Sequence, residues 1–406
     1  MTDSKEVIII GGGAAGFFAA INMAESNPHL KVTILEKSGK VLQKVKVSGG
    51  GRCNVTHACF DPKELIEYYP RGKKELLGPF HTFMTGDTIA WFEDKGIPLK
   101  IEDDMRMFPE SNSSQTILDC FIESAERAGV EVLLNQNVIK IDKKDEQFFI
   151  ETKNTKFKAD CLLIASGGTV KIWEIIKSLG HNIIEPVPSL FTFNIKDPIL
   201  EDIPGISVPD AHISLEDGLF DSNGPLLITH WGLSGPGILK LSSLAAIHLA
   251  RLNYQFSVTV NWLNLPFSEV LTYLKSQKNK HPKKNVILRS CYEQISKRLW
   301  SKLVLSAKIS SDQNWSDLSN QQLEQLSEKL TSTKLVSHGK TTFKEEFVTA
   351  GGVDLKEINF KRFESKLHPN LFFAGEVLNI DGLTGGFNFQ NAWTGAFISA
   401  KAIAES

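Results

Sequence analysis

A disulfide framework is the first thing this chain lacks. Its five cysteines, Cys53, Cys59, Cys120, Cys161 and Cys291, are scattered and odd in number, which suits reduced thiols rather than a stapled fold. There is no C-x-x-C pair and no histidine-rich cluster, so no metal site is expected. No apolar run approaches the length of a membrane-spanning helix. The N-terminus carries acids and lacks a basic, apolar leader with a small-residue cleavage site. A cytoplasmic protein is the expectation. Charge of one sign is also missing: 45 basic and 47 acidic side chains leave a net charge of -2. Such balance gives no electrostatic footprint for nucleic acid or an acidic membrane, and neither is expected as a partner. No internal repeat or low-complexity tract appears. What remains is a chain of 406 residues, 42% hydrophobic and 23% charged, with room for two or three domains and a large core.

What is present begins at once. Val7-Ile8-Ile9-Ile10-Gly11-Gly12-Gly13-Ala14-Ala15-Gly16 places G-x-G-x-x-G between a buried apolar strand and an alanine-rich helix. The motif alone is weak, but here its context fits on both sides. Gly11 permits the tight turn, Gly13 lets a pyrophosphate approach the backbone, and Gly16 lets helix and strand pack closely. The helix N-terminus then offers free N–H groups to phosphate. A second strand, Val32-Thr33-Ile34-Leu35, ends at Glu36, about twenty residues past the last glycine, where an acid binds ribose hydroxyls.

Further along, Ser48-Gly49-Gly50-Gly51-Arg52-Cys53-Asn54 centres a basic, glycine-rich stretch, and helical patterns follow near 62–77, 86–95 and 114–128. Val138–Ile141, Gln147–Thr152 and Lys156–Lys158 read as a β-meander. Cys161–Ala165 reads as a buried parallel strand ending at Ser166-Gly167-Gly168. From 191 to about 264, short β-like runs between prolines and glycines suggest a small barrel or sandwich. Residues 267 to 333 are polar and helical in period, Val286, Leu288, Cys291, Ile295, Leu299, Leu303 and Val304 sharing one spacing. Lys278–Lys284 reads as a solvated loop. The chain then returns to strands near 341. Pro369 to Glu376 gives a last buried strand meeting a glycine turn, followed by Gly382, Gly385-Gly386 and a helix from about Gln390 to Glu405.

Four turns, at 11–16, 49–54, 166–168 and 375–386, thus share a design of apolar strand and then small residues, and strand ends of a parallel sheet are where ligands bind. One dinucleotide motif at the start, a meander, and a late strand-Gly-acid-helix segment resemble the FAD domain of the glutathione-reductase class. NAD-only dehydrogenases lack the late segment.

The resemblance sharpens with Ser48–Thr56, His230-Trp231-Gly232-Leu233-Ser234-Gly235-Pro236, Val348-Thr349-Ala350-Gly351-Gly352-Val353, Phe373-Ala374-Gly375-Glu376-Val377-Leu378 and Asp381–Gln390. These resemble the BaiN/YhiN-type FAD-dependent oxidoreductases, among them aminoacetone-oxidase-like and bile-acid-reductase-like enzymes. The family's Gly-Arg-Lys before the Ser-Gly turn is Leu42-Gln43-Lys44 here, and Asn379 and Asn391 stand where members often carry Asp and Trp.

The resemblance implies an α/β fold: a glutathione-reductase-type FAD-binding Rossmann-like domain split by an inserted β-barrel plus helical domain. Residues 1–190 would be its first part and 341–406 its second. The insertion would be 191–340, with the barrel in 191–265 and helices in 266–333. Non-covalent FAD is the implied cofactor. Its expected binding set is Gly11, Gly13, Ala14, Ala15, Gly16, Glu36, Lys37, Lys44, Ser48, Gly49, Gly50, Arg52, Cys53, Asn54, Val138, Ser166, Gly167, Gly168, Gly375, Glu376, Asp381, Gly385, Gly386, Phe387 and Asn388. Arg52 would meet the flavin or its pyrophosphate with two directed donors. Glu376 or Asp381 would accept from ribityl hydroxyls. Gly385–Phe389 would face the pyrimidine edge, with the last helix aiming its positive end at the charge that develops there. Cys53 reads as a small buried hydrophobe or a redox partner of Cys59. His230 is the catalytic candidate, for substrate contact or proton transfer; a hydrogen-bonded structural role is the other reading.

The expected activity is hydride transfer between FAD and a small-molecule substrate. It takes either an amine-type oxidase form or a reductase form with NAD(P)H visiting transiently, because a single G-x-G-x-x-G leaves no permanent second nucleotide domain. A flavin-containing RNA- or protein-binding factor is the alternative.

Overall fold

The computed structural model describes residues 4–215, 218–341 and 348–406. The first residues of the expected 341–406 segment, 342–347, lie outside the described residues. The chain forms two compact units, Met1–Val187 with Lys344–Ser406, and Pro188–Phe343.

The first unit is built on a seven-stranded sheet. Its order is Ile358–Asn359, Glu364–Ser365, Leu371–Phe373, Cys161–Ile164, Glu6–Ile10, Lys31–Leu35 and Glu131–Leu133. The last five run parallel, with Ile10 beside Leu35 and Ile164 beside Phe373. Strands buried on both faces read as continuous apolar runs, and the alternation is visible in where each side chain goes. Val7, Ile9, Cys161 and Leu163 join one core with the helices Ala14–Ser26, Ser114–Arg127 and Phe387–Ala404. Ile8, Ile10, Leu162 and Ile164 join another with the meander and the helix Val170–Ser178. The meander is Val138–Lys144, Gln147–Thr152 and Lys156–Ala159.

Local expectations change at two places, the 49–54 turn and the start of the last helix. The 49–54 turn grows out of a helical stretch, Gln43–Gly51, that leaves helical backbone at Ser48, Gly49 and Gly50, and not out of a strand, so only three of the four glycine turns leave strands of the parallel sheet. Arg106–Pro109 is a strand paired with Thr56–His57 and Leu99–Ile101. The last helix begins at Phe387, three residues before Gln390.

The second unit holds a closed antiparallel barrel of six strands, in the order Thr192–Ile195, Gly232–Ser234, Phe220–Thr229, Ser207–Leu215, Gln255–Asn261 and Thr333–Thr341. Closure removes exposed sheet edges. The sixth strand follows the helices in the chain, so the barrel draws on residues outside 191–265. Helices Phe267–Lys280, Lys297–Ser306 and Asn320–Thr331 lie between its fifth and sixth strands. The expected helical run through Val286 and Cys291 does not form; regular helix begins only at Lys297. Asn285 and Ser290 side chains accept from the backbone N–H groups of Ile287 and Tyr292 at 3.1 Å. Such local bonds compete with helix, and Ser296 then caps the helix by accepting from Leu299 N–H.

Candidate functional site

The glycine turn of the first unit has the geometry a dinucleotide needs. Gly11 adopts φ +114°, and a Cβ there would stand 2.5 Å from the Ala165 carbonyl oxygen. A Cβ on Gly16 would stand 2.0 Å from the Gly11 carbonyl oxygen, so helix and strand approach as only glycine allows. Nothing lies within 4 Å of a Cβ built on Gly13. The helix Ala14–Ser26 has no side-chain cap at Gly13 and no acid in its first turn. Its first N–H groups are therefore left for an anion.

Glu36 stands at the end of the neighbouring strand. Its carboxylate accepts from Gly12 N–H at 2.9 Å and from Ser38 N–H and Oγ at 2.9 and 2.8 Å. Beside it is a cavity of about 280 Å³ lined by residues that include Gly11, Glu36, Lys37, Val138, Ser166 and Thr169. That volume sits just below the roughly 300–1,000 Å³ of ligand pockets, which suits the adenosine end of a dinucleotide rather than the whole of FAD. Lys37 Nζ reaches Thr169 Oγ1 at 3.4 Å.

The other parallel-strand turns converge nearby. A Cβ on Gly167 would lie 3.5 Å from Glu376 Oε2, and one on Gly375 would lie 3.3 Å from Ala15 Cβ. Glu376 accepts from Thr349 N–H at 2.8 Å and pairs with Lys44 at 2.6 Å. Gly11 to Gly16, Glu36, Lys37, Lys44, Val138, Ser166 to Gly168, Gly375 and Glu376 thus form one connected set.

A second set forms around the start of the last helix. Gly386 adopts φ +97° and has no side-chain cap to offer Phe387–Ala404, which carries no acid in its first turn. Asn54, with its amide oriented to suit its neighbours, accepts from Gly386 N–H at 2.9 Å and donates to the Thr56 and Met107 carbonyls. Asn388 clasps Gly382, accepting from its N–H at 2.8 Å and donating to its carbonyl at 2.9 Å. Phe387 stacks on Tyr68 with centroids 4.2 Å apart. Ser48 Oγ donates to the Val45 carbonyl at 2.9 Å, and Gly49 and Gly50 continue from it in left-handed backbone.

Asp381, Arg52 and Cys53, all expected ligands, are taken up within the protein itself. Asp381 is fully buried and pairs with Arg71. Arg52 pairs with Glu102 at 2.5 Å, its guanidinium 3.9 Å above the Phe108 ring. Cys53 is buried, and desolvation pushes its thiol up to about 12, which leaves it a thiol at neutral pH. His230 belongs to the second unit. It and Trp231 form the exposed two-residue turn between Phe220–Thr229 and Gly232–Ser234.

Residues 5–402 match the HI0933-like protein Rossmann domain. The chain belongs to the HI0933-like family, and it is an FAD-dependent oxidoreductase. Over 98% of both chains it is 29% identical to the ribosomal RNA dihydrouridine synthase of Escherichia coli (strain K12). Over 98% of both it is 27% identical to the 3-dehydro-bile acid delta(4,6)-reductase of Clostridium scindens. Among solved structures, 3-ketosteroid-delta4-(5alpha)-dehydrogenase from Rhodococcus jostii RHA1 aligns over 99% of this chain and 97% of that one, with a TM-score of 0.52 at 12% identity. That likeness speaks for the fold alone.

In this HI0933-like chain the two uncapped helix N-termini, the cavity beside Glu36 and the open space over Gly13 fit FAD. Sequence reasoning missed Gln136, Asn137, Thr169 and Lys171 in the cavity wall; the polar residues before Val138 hinted at the first two, and Thr169 and Lys171 directly follow the Ser166–Gly168 turn. It also missed His57, whose Nδ1 lies 3.1 Å from the Gly385 carbonyl and whose ring lies 4.5 Å from that of Phe387. Burial lowers the His57 pKa from 6.5. Among the described residues no group of three or more His, Cys, Asp or Glu could hold a metal, and no helix is long and apolar enough to cross a membrane.

Proposed function

We propose that this chain is an NAD(P)H-driven reductase that saturates a carbon–carbon double bond conjugated to a carbonyl. The observation that carries the reading is full-length similarity to two relatives whose names describe one chemistry. Dihydrouridine differs from uridine by two hydrogens across a ring bond conjugated to a carbonyl, and a bile acid delta(4,6)-reductase acts on a conjugated system of the same kind. An amine-type oxidase is the less favoured form.

Bound FAD would supply the two-electron chemistry. The chain's part is to hold and polarise. The Gly13 end of the first helix would bind the pyrophosphate, and Glu36 the adenosine ribose. Glu376, which stands beside Gly167 and Lys44, would face the ribityl chain. The positive end of Phe387–Ala404 would stabilise negative charge developing at the pyrimidine edge. Ser48 to Asn54 would shape the wall behind it. His230, exposed on its hairpin, is the proposed substrate contact or proton donor. Five unpaired thiols suit the reducing cytoplasm.

Absorption spectra under anaerobic conditions test the reading. NADPH or NADH should bleach the bound flavin, and a conjugated enone or a uridine-containing RNA should restore it faster than buffer alone. Bleaching by small amines but not by NAD(P)H would favour the oxidase form, and a colourless protein that FAD cannot reconstitute would end the flavin reading. His230→Ala should keep bound FAD while lowering turnover by about 10²–10⁴, the usual loss of one proton-transfer group.

A further inference from the structure

The whole-chain charge of -2 hides a strong local asymmetry. Residues 275–308 of the inserted unit carry ten basic side chains and one acid, Glu293, against 35 basic and 46 acidic in the rest of the chain. The segment runs from the last turns of the helix Phe267–Lys280, through an irregular connection, to the end of Lys297–Ser306. It is one packed body. Trp300 Nε1 donates to the Val286 carbonyl at 2.7 Å, and Tyr273 Oη donates to the Cys291 carbonyl at 3.1 Å. Leu299, Trp300, Leu303 and Val304 face the core, which leaves the charged residues outside.

Lys283, Lys284, Arg289, Lys297 and Arg298 are all exposed, and none has an ion-pair partner among the described residues. Two placements work against the stability of the unit itself. Lys283 and Lys284 are adjacent like charges. Lys297 and Arg298 occupy the first turn of a helix with no acid there, where the dipole disfavours cations. Exposed apolar groups lie between the charges: Leu288 is 61% and Leu305 50% exposed, and Tyr273 is 37% exposed. Positive charge repeated along a surface with an aromatic side chain among it matches a phosphate backbone carrying bases. An acidic polypeptide would use the charge but not the apolar groups. The acids of this unit's later part, Asp312, Asp317, Glu324 and Glu328, follow on the next connection and helix.

We infer that the 275–308 surface docks the phosphate backbone of RNA. Docking rests on the reductase reading only for which ring is reduced, so binding is measured without turnover. The probe is a fluorescein-labelled stem-loop RNA with uridines in its loop, titrated with the full FAD-loaded chain. The quadruple variant Lys283→Ser/Lys284→Ser/Arg289→Ser/Arg298→Ser should bind about 10- to 100-fold more weakly at roughly 0.1 M salt and should lower the salt slope by about 2–3. The charge-keeping variant Lys283→Arg/Lys284→Arg/Arg289→Lys/Arg298→Lys should bind like the parent. So should a control with the same charge loss in the other unit, Lys63→Ser/Lys74→Ser/Lys153→Ser/Lys177→Ser. Flavin content and NADPH bleaching report separately on fold and on the reductase reading. Three results would overturn the inference: no RNA binding by the parent, equal loss in the control, or tighter binding of polyglutamate or phosphatidylglycerol vesicles than of RNA.

Discussion

Replacing Glu36 with glutamine tests the candidate site at its most constrained point. The carboxylate uses both oxygens inside the protein: Oε2 accepts from Gly12 N–H, and Oε1 accepts from Ser38 N–H and Oγ. A glutamine amide can serve only one side as acceptor. If its oxygen stays with Ser38, its NH₂ faces the Gly12 N–H, two donors opposed, and the remaining acceptor capacity for ribose hydroxyls is gone. A hydrogen bond to a charged group contributes about 1.5–3 kcal/mol, which corresponds to roughly 10- to 100-fold in FAD affinity.

Part of that loss falls on the apoprotein, since the Gly12 bond exists without a ligand. Two measurements separate the parts. Flavin fluorescence on titrating apoprotein gives the dissociation constant, and thermal unfolding of the apoprotein gives the turn's own contribution. The expected outcome is weaker FAD binding together with a small fall in the apoprotein midpoint. An apoprotein destabilised as expected but binding FAD with the parent's affinity would refute the reasoning, because the carboxylate would then serve only to brace the turn.

Gly16→Ala should abolish flavin loading, because its Cβ would fall 2.0 Å from the Gly11 carbonyl oxygen, a backbone atom that cannot swing aside; the flavin-to-protein ratio after purification reads it. Cys53, buried with its thiol raised to about 12, should resist iodoacetamide in the native protein, and Cys53→Ala should keep turnover; rapid native alkylation mapped to Cys53 would contradict the assignment. Burial lowers the His181 pKa from 6.5 while its Glu357 partner at 2.7 Å pulls the other way. The unfolded chain therefore takes up the proton first as pH falls, so this contribution is complete above about pH 7 and declines below pH 6.5. Denaturant midpoints of the parent should drop more than those of His181→Asn between these conditions.

The sheet was legible because burial on both faces leaves a simple trace. Val7 to Ile10 and Cys161 to Ile164 are unbroken apolar runs, and each alternates between two cores that need no polar position. The meander showed itself by polar turns. The barrel's closing strand did not, because Thr333–Thr341 has its order-giving partners in Gln255–Asn261 and Thr192–Ile195, and the intervening helices separate it from the former by more chain than a hairpin signal reaches. The connection 281–296 misled for a different reason. Val286, Ile295 and Leu299 are all buried, so their spacing matched a helix. The burial of Val286 and Ile295 is instead supplied by an irregular chain whose backbone groups bond to Asn285, Ser290 and Trp300, and only Leu299 lies in the regular helix that begins at Lys297.

At the candidate site, the backbone was easier to read than the side chains. A glycine that must approach a carbonyl marks its own position, as Gly16 does. The partner of a charged side chain leaves no such mark when it comes from the far end of the chain. Lys44 meets Glu376, and Arg71 meets Asp381, each pair separated by more than 300 residues in sequence. Arg52 is closer to its partner in the chain, yet Glu102 reaches it only because Arg106–Pro109 pairs as a strand beside Thr56–His57. The same limit applies to charge. A balance summed over 406 residues cannot distinguish a neutral surface from a basic one beside an acidic one. Fields at a binding surface decay within about 10 Å at ordinary salt. A polyanion approaching residues 275–308 therefore meets the local excess and not the net charge of the chain.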